Sequence, residues 1–145
     1  MKNLMLIISF LILLFACENT SVELNDVATI EGKVTIGPLC GNVPIIANNS
    51  NPCGFSDDQM NLVYSKYKVD LSGQVDGKTI TKEVVLNKTG VFTFEVPVGT
   101  YKVEVILPEG GSSNQFNAQG SLTKQVSLVK NQTSKVEINV DTGIR

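Results

Sequence analysis

Apolar and polar residues alternate one for one along most of this chain, which is the period of a half-buried β-strand and not of a helix. Over residues 90–107, Phe92, Phe94 and Val96 alternate with Val91, Thr93 and Glu95, and Tyr101, Val103, Val105 and Leu107 alternate with Lys102, Glu104 and Ile106. Pro97 fixes φ and lacks an N–H, and Gly99 is free to take positive φ. Val-Pro-Val-Gly-Thr is therefore expected to turn one strand back on the other as an antiparallel hairpin. Upstream, residues 27–36 set Ala28, Ile30, Val34 and Ile36 against Thr29, Glu31, Lys33 and Thr35, with Gly32 as a bulge or close-packing site. A second strand is expected over residues 62–71, with Tyr67, Val69 and Leu71 inward. The Asp76-Gly77 pair then signals a hairpin turn into a third strand over 80–86. Ile80, Val84 and Leu86 line its inner face, which Lys82 interrupts. Residues 122–129 and 135–140 complete the set through Leu122, Val126, Leu128, Val136, Ile138 and Val140.

The expectation is seven strands and no helix. Short strands at spacings of about ten residues, separated by turn signals, point to an all-β fold, a single antiparallel seven-stranded β-sandwich over residues 27–145. Two Gly-, Asn- and Ser-rich stretches, 37–59 and 108–121, show no periodicity and are expected as long loops at the ends of the sandwich.

At 145 residues the chain suits one domain. Its 12 basic and 14 acidic residues make no basic face for nucleic acid, and with no His the commonest general base and metal ligand is missing. No cofactor, metal or catalysis is expected. Residues 1–16 carry Lys2 in a short polar start and continue as a run over 4–15 that is apolar except for Ser9, a secretion signal too short for the ~20 residues of a bilayer span. Leu14-Phe15-Ala16-Cys17 resembles the lipobox of bacterial lipoproteins. That resemblance implies acylation of Cys17, palmitate included, and a membrane-anchored envelope protein, at the outer membrane or cell surface, with residues 17–26 as a polar tether. Three Cys is an odd number. Assigning Cys17 to lipid leaves Cys40 and Cys53 as an even pair, expected as a disulfide worth ~3 kcal/mol on the loop-entropy model. A two-thiolate metal site is the rival reading and lacks further ligands.

Few residues stand out as chemistry. Asp57 and Asp58, beside Gln59 and Asn61, carry oxygens of the kind calcium takes, without EF-hand spacing. Glu31, Glu83, Glu95, Glu104 and Glu137 fall at outward strand positions, where pairing with Lys33, Lys82, Lys102 or Lys135 explains them better than a carboxylate pair for hydrolysis. Phe116, in its polar loop, and Tyr64, on the face opposite Tyr67, are the two candidate rings for anchoring a ligand, the rival reading for Phe116 being that it tucks back over a sheet end.

Gly37-Pro38-Leu39-Cys40, Asn51-Pro52-Cys53, Thr89-Gly90-Val91-Phe92, Val96-Pro97-Val98-Gly99-Thr100-Tyr101 and Asp141-Thr142-Gly143-Ile144-Arg145 are similar to a group of small bacterial envelope proteins. Those proteins carry a carboxypeptidase-regulatory-like, transthyretin-like sandwich. The resemblance implies an accessory module, structural or protein-interacting, with a protein partner in the envelope. The alternative is a carbohydrate- or small-ligand-binding module that uses the end loops.

Overall fold

The computed structural model describes residues 26–41, 53–110, 117 and 120–145. The described elements are strands β1 (Val27–Gly37), β2 (Lys68–Val75), β3 (Lys78–Val85), β4 (Val91–Pro97), β5 (Thr100–Ile106), β6 (Thr123–Ser127) and β7 (Thr133–Asp141), with one helix, α1 (Asp57–Tyr64), between β1 and β2. They form an all-β sandwich of two sheets, in the orders β4-β1-β7 and β3-β2-β5-β6.

The alternation predicts the core well. Ile30, Val34, Val69, Leu71, Phe92, Phe94, Val96, Tyr101, Val103, Val105, Ile138 and Val140 are all buried between the sheets. Each fully buried aliphatic or Phe side chain of this kind contributes roughly 1.5–3 kcal/mol. Gly32 is indeed a close-packing site: it pairs with Phe92, and a Cβ there would lie 1.9 Å from the Phe92 ring. Asp76 and Gly77, at φ 50° and 74°, form the expected tight turn of the β2–β3 hairpin.

Three expectations are corrected. First, β4 and β5 are not a hairpin. β4 pairs with β1 and β5 pairs with β2 and β6, so Val98-Gly99 is a corner that carries the chain from one sheet to the other. Alternation says which face of a strand is buried, not which strand lies beside it. Crossing over places Phe92, Phe94 and Val96 in one layer and Tyr101, Val103 and Val105 in the other. Gly99 does not use positive φ; it supplies room, because a Cβ there would sit 2.8 Å from Val75. The corner is bolted by the Tyr101 hydroxyl, which donates to the Pro97 carbonyl at 2.8 Å. Burial holds the Tyr101 phenol above its ordinary pKa, so it stays a donor. Tyr101→Phe is expected to cost about 1 kcal/mol, read as a lower urea midpoint at unchanged slope.

Second, the sandwich is not wholly antiparallel, because β1 and β7 pair in parallel from Thr29↔Thr133 to Gly37↔Asp141. The β6-to-β7 turn also switches sheets, at the same end as the β4–β5 corner, and so delivers β7 alongside β1 in the same direction. Third, residues 57–64 are helical and β2 begins only at Lys68. Ser56 accepts from the Gln59 N–H while Gln59 accepts from the Ser56 N–H, a capping box, and Asp57 and Asp58 occupy the first turn, where the helix dipole favours carboxylates.

Candidate functional site

The register gives the sandwich two unlike ends. At one end lie Asp26, the Val98-Gly99 corner, the Asp76-Gly77 hairpin and the turn at Lys130-Asn131. There Val98 donates to the Asp26 carbonyl and Lys130 pairs with Asp26. At the other end lie α1, the Cys40–Cys53 disulfide, the turn at 87–90 and the segment 142–145.

This second end is built from side chains that tie loops to strands. Tyr64, the buried residue of α1, reaches the Ile36 N–H with its hydroxyl, and its ring lies against Gly90. Asn61 accepts from the Lys88 N–H, and Asp57 pairs with the Lys88 ammonium. Cys40 and Cys53 are bonded, as expected from the cysteine count, with Cα atoms 5.8 Å apart. Thr142 donates its N–H to the Gly37 carbonyl and its hydroxyl to that of Pro38. Asn117 makes a two-way bridge to the Asp141 backbone at 2.9 Å each way. Of the six large apolar side chains exposed among the described residues, five sit at this end: Leu62, Val85, Val91, Ile106 and Ile144. Val129 alone is at the other.

Arg145 forks onto Asp141, with Nη1 3.0 Å from Oδ1 and Nη2 2.9 Å from Oδ2, and the Gly143 N–H donates to Oδ1 at 2.8 Å. The guanidinium bond, then the Gly143 N–H, hold the Asp141 carboxyl below the usual carboxylate range. A carboxyl lowered on folding adds stability that is in place above its ordinary pKa and is lost as pH falls through the lowered value. In an NMR titration Arg145→Gln is expected to move the Asp141 midpoint up toward the ordinary value; an unmoved midpoint would assign the shift to Gly143.

The site residues expected from sequence fare differently. Cys17 and Phe116 lie outside the described residues. Tyr64 is not an exposed ring. It is 7% exposed, because the helix turns its C-terminal residue into the core instead of leaving it on the wet face of a strand. The capping box at Ser56 and Gln59 is the signal that would have revealed this. The oxygens considered for calcium do not converge. Asp57 serves Lys88, Gln59 caps its helix, and Asn61 holds the Lys88 backbone.

Carboxylates lie on the wet faces. Glu31 faces Lys135 and Lys33 faces Glu137 across the β1–β7 ladder. On the outer face of the four-stranded sheet, Glu83, Asp70 and Glu104 share one row across a shallow depression of about 360 Å3. Glu83 pairs with Lys68 at 2.9 Å and Glu104 with Lys102 at 2.6 Å, while Asp70 Oδ1 is covered and has no hydrogen-bond partner among the described residues. Pairs this exposed are screened by solvent and contribute little to stability.

No protein-family model matches the chain, and no curated protein matches it. Among solved structures it is similar to a DUF3823 family protein from Parabacteroides merdae, at 14% identity and TM-score 0.46 over 79% of this chain and 46% of that one. It is also similar to the Bacillus anthracis TIE protein, at 11% identity and TM-score 0.46 over 81% of this chain and 17% of that one. GBS52, the minor pilin of Streptococcus agalactiae, aligns at 12% identity and TM-score 0.46 over 81% of this chain and 45% of that one. The chain spans less than half the length of each of these structures.

Proposed function

We propose that this chain is a bacterial cell-envelope lipoprotein, anchored through acyl chains on Cys17, whose sandwich, transthyretin-like in topology, is a structural or protein-interaction module without catalysis. On this reading residues 1–16 are the signal peptide, residues 17–26 are the tether, and the protein sits at the outer membrane or cell surface. The observation that supports the interaction reading is that five of the six large apolar side chains exposed among the described residues lie toward the end of the sandwich opposite Asp26: Leu62 and Ile144 beyond the strands, Val91 on the outer face of one sheet, and Val85 and Ile106 on that of the other. A tether that ends at Asp26 leaves that apolar end facing away from the membrane, where a protein surface can cover it. The alternative, a carbohydrate- or small-ligand-binding module using the end loops, had Phe116 and Tyr64 as its candidate rings, and burial of Tyr64 takes one of them away.

The test is photo-cross-linking in cells from a reactive residue placed at Leu62, at Val91 or, as the control, at Val129. One recurrent, near-stoichiometric protein captured from the first two positions and not from the third is the expected result. Equal capture from all three, or none, would sink the interaction reading. Separately, Cys17→Ser is expected to move the protein from the membrane fraction to the soluble fraction; unchanged sedimentation with membranes would remove the anchor.

A further inference from the structure

β3 is the terminal strand of its sheet, paired with β2 on one side and, among the described residues, with nothing on the other. A row of free N–H and C=O groups over eight residues is a template for another strand. Lys82 sits in the middle of this edge and points the wrong way for a lysine. It lies opposite Leu71, which is 1% exposed, so it shares the inward row with Ile80 and Val84. Its ammonium reaches across the open side of the sandwich to the Glu95 carbonyl of β4, at 2.6 Å. Neither the fold nor the proposed function calls for a charge there.

What the charge opposes follows from the register. A two-fold pairing of β3 with a second copy is isologous, so that any contact of residue i with j is matched by j with i. Side-chain alternation permits only pairings that keep inward rows together, because a one-residue slip sets an apolar row beside a polar one. Two such registers use most of the strand. Centred on Lys82, Ile80 faces Val84, Thr81 faces Glu83 and Thr79 faces Val85, a compatible set, but Lys82 faces Lys82. Centred on Thr81, each Ile80 faces a Lys82 and each Val84 faces the Lys78 at the start of the strand, with no counter-charge in the inward row, so this register stays unfavourable whatever stands at 82. Lys82 opposes both registers, either through like charges directly opposite or through an ammonium shut into an apolar seam.

We propose that β3 is a latent two-fold interface for a second copy of this chain, and that Lys82 keeps it closed. An apolar residue at position 82 completes an unbroken inward row with Ile80 and Val84, and the free edge then accepts its own copy. The experiment compares the detergent-solubilised full chain with Lys82→Met and with Lys82→Met/Ile80→Lys by sedimentation and by hydrogen exchange of the β3 amides. The methionine keeps the length of the lysine stem. The double variant moves the charge one step along the same row without restoring the bond to Glu95. Wild type is expected at the mass of one chain, Lys82→Met at double that mass with exchange at β3 slowed as concentration rises, and the double variant back at the single mass. If Lys82→Met does not fold, Lys82→Gln, which keeps a donor for the Glu95 carbonyl, is read in the same way. Wild type already paired through β3, a folded variant that stays single at the highest concentration reached, or dimers without slower exchange at β3 would each overturn the proposal.

Discussion

Gly90→Ala is expected to destabilise the protein by about 3–5 kcal/mol, enough to threaten folding in a domain whose whole stability is of order 5–15 kcal/mol. Two penalties coincide at this position. The backbone is at φ 66°, where an L side chain costs roughly 1–2 kcal/mol. The added Cβ would also lie 2.1 Å from the Val34 carbonyl oxygen and 2.9 Å from the Tyr64 ring. The first of these contacts is backbone and cannot swing aside. It can relax only by moving the 87–90 turn away from β1, which breaks the bond from the Val34 N–H to the Gly90 carbonyl at 2.8 Å. Urea unfolding followed by far-ultraviolet circular dichroism measures the effect, and a midpoint within error of wild type would mean that Gly90 does not pack as described. Gly77→Ala is the control. It also lies at positive φ, 74°, but has nothing within 4 Å of its Cβ position, so it carries the backbone penalty alone.

Tyr64→Ala is expected to cost a similar amount, about 3–5 kcal/mol, by the cavity left when a buried ring is deleted. Its second consequence is local. α1 has eight residues, too few to persist as an isolated helix, and Tyr64 is the one side chain it buries fully. Loss of the ring should therefore free the helix, with faster amide exchange over residues 57–64 than in the strands. Tyr64→Phe keeps the ring and removes only the contact with the Ile36 N–H, at 3.4 Å, so its cost should stay below about 1 kcal/mol. Were Tyr64 an exposed ligand anchor, the alanine variant would unfold at the wild-type midpoint.

Tyr64 also marks where the sequence is hard to read. Leu62, Tyr64, Tyr67, Val69 and Leu71 can be laid on a strand with only a break of phase, and that phase places Tyr64 on the wet side. The capping box at Ser56 and Gln59 argues for a helix, yet a helix this short has little periodicity of its own, and Tyr64 is the one residue it buries. Lys82 is the opposite case. Alternation alone exposes it as a charge on an inward row, and only the structure shows that it is at a sheet edge, where such a charge can be solvated. Clustering at the apolar end was not legible at all. Leu62, Val85, Val91, Ile106 and Ile144 are spread over more than eighty positions in the chain and come to the same end of the sandwich, on both of its outer faces, only through the register of both sheets.

By itself, the sequence determined which side chains of the strands are buried, where the tight β2–β3 turn falls and which two cysteines join, because each depends on neighbours along the chain or on simple counting. Only the tertiary structure decided which strands lie side by side. Phe92, Phe94 and Val96 would alternate with their polar neighbours identically in a hairpin with β5 and in the other sheet, and β1 reads the same whether β7 runs with it or against it. Backbone pairing is nearly blind to side-chain identity. The partner of each strand is set by which arrangement lets every apolar row face another across the core, and that choice belongs to the whole chain at once.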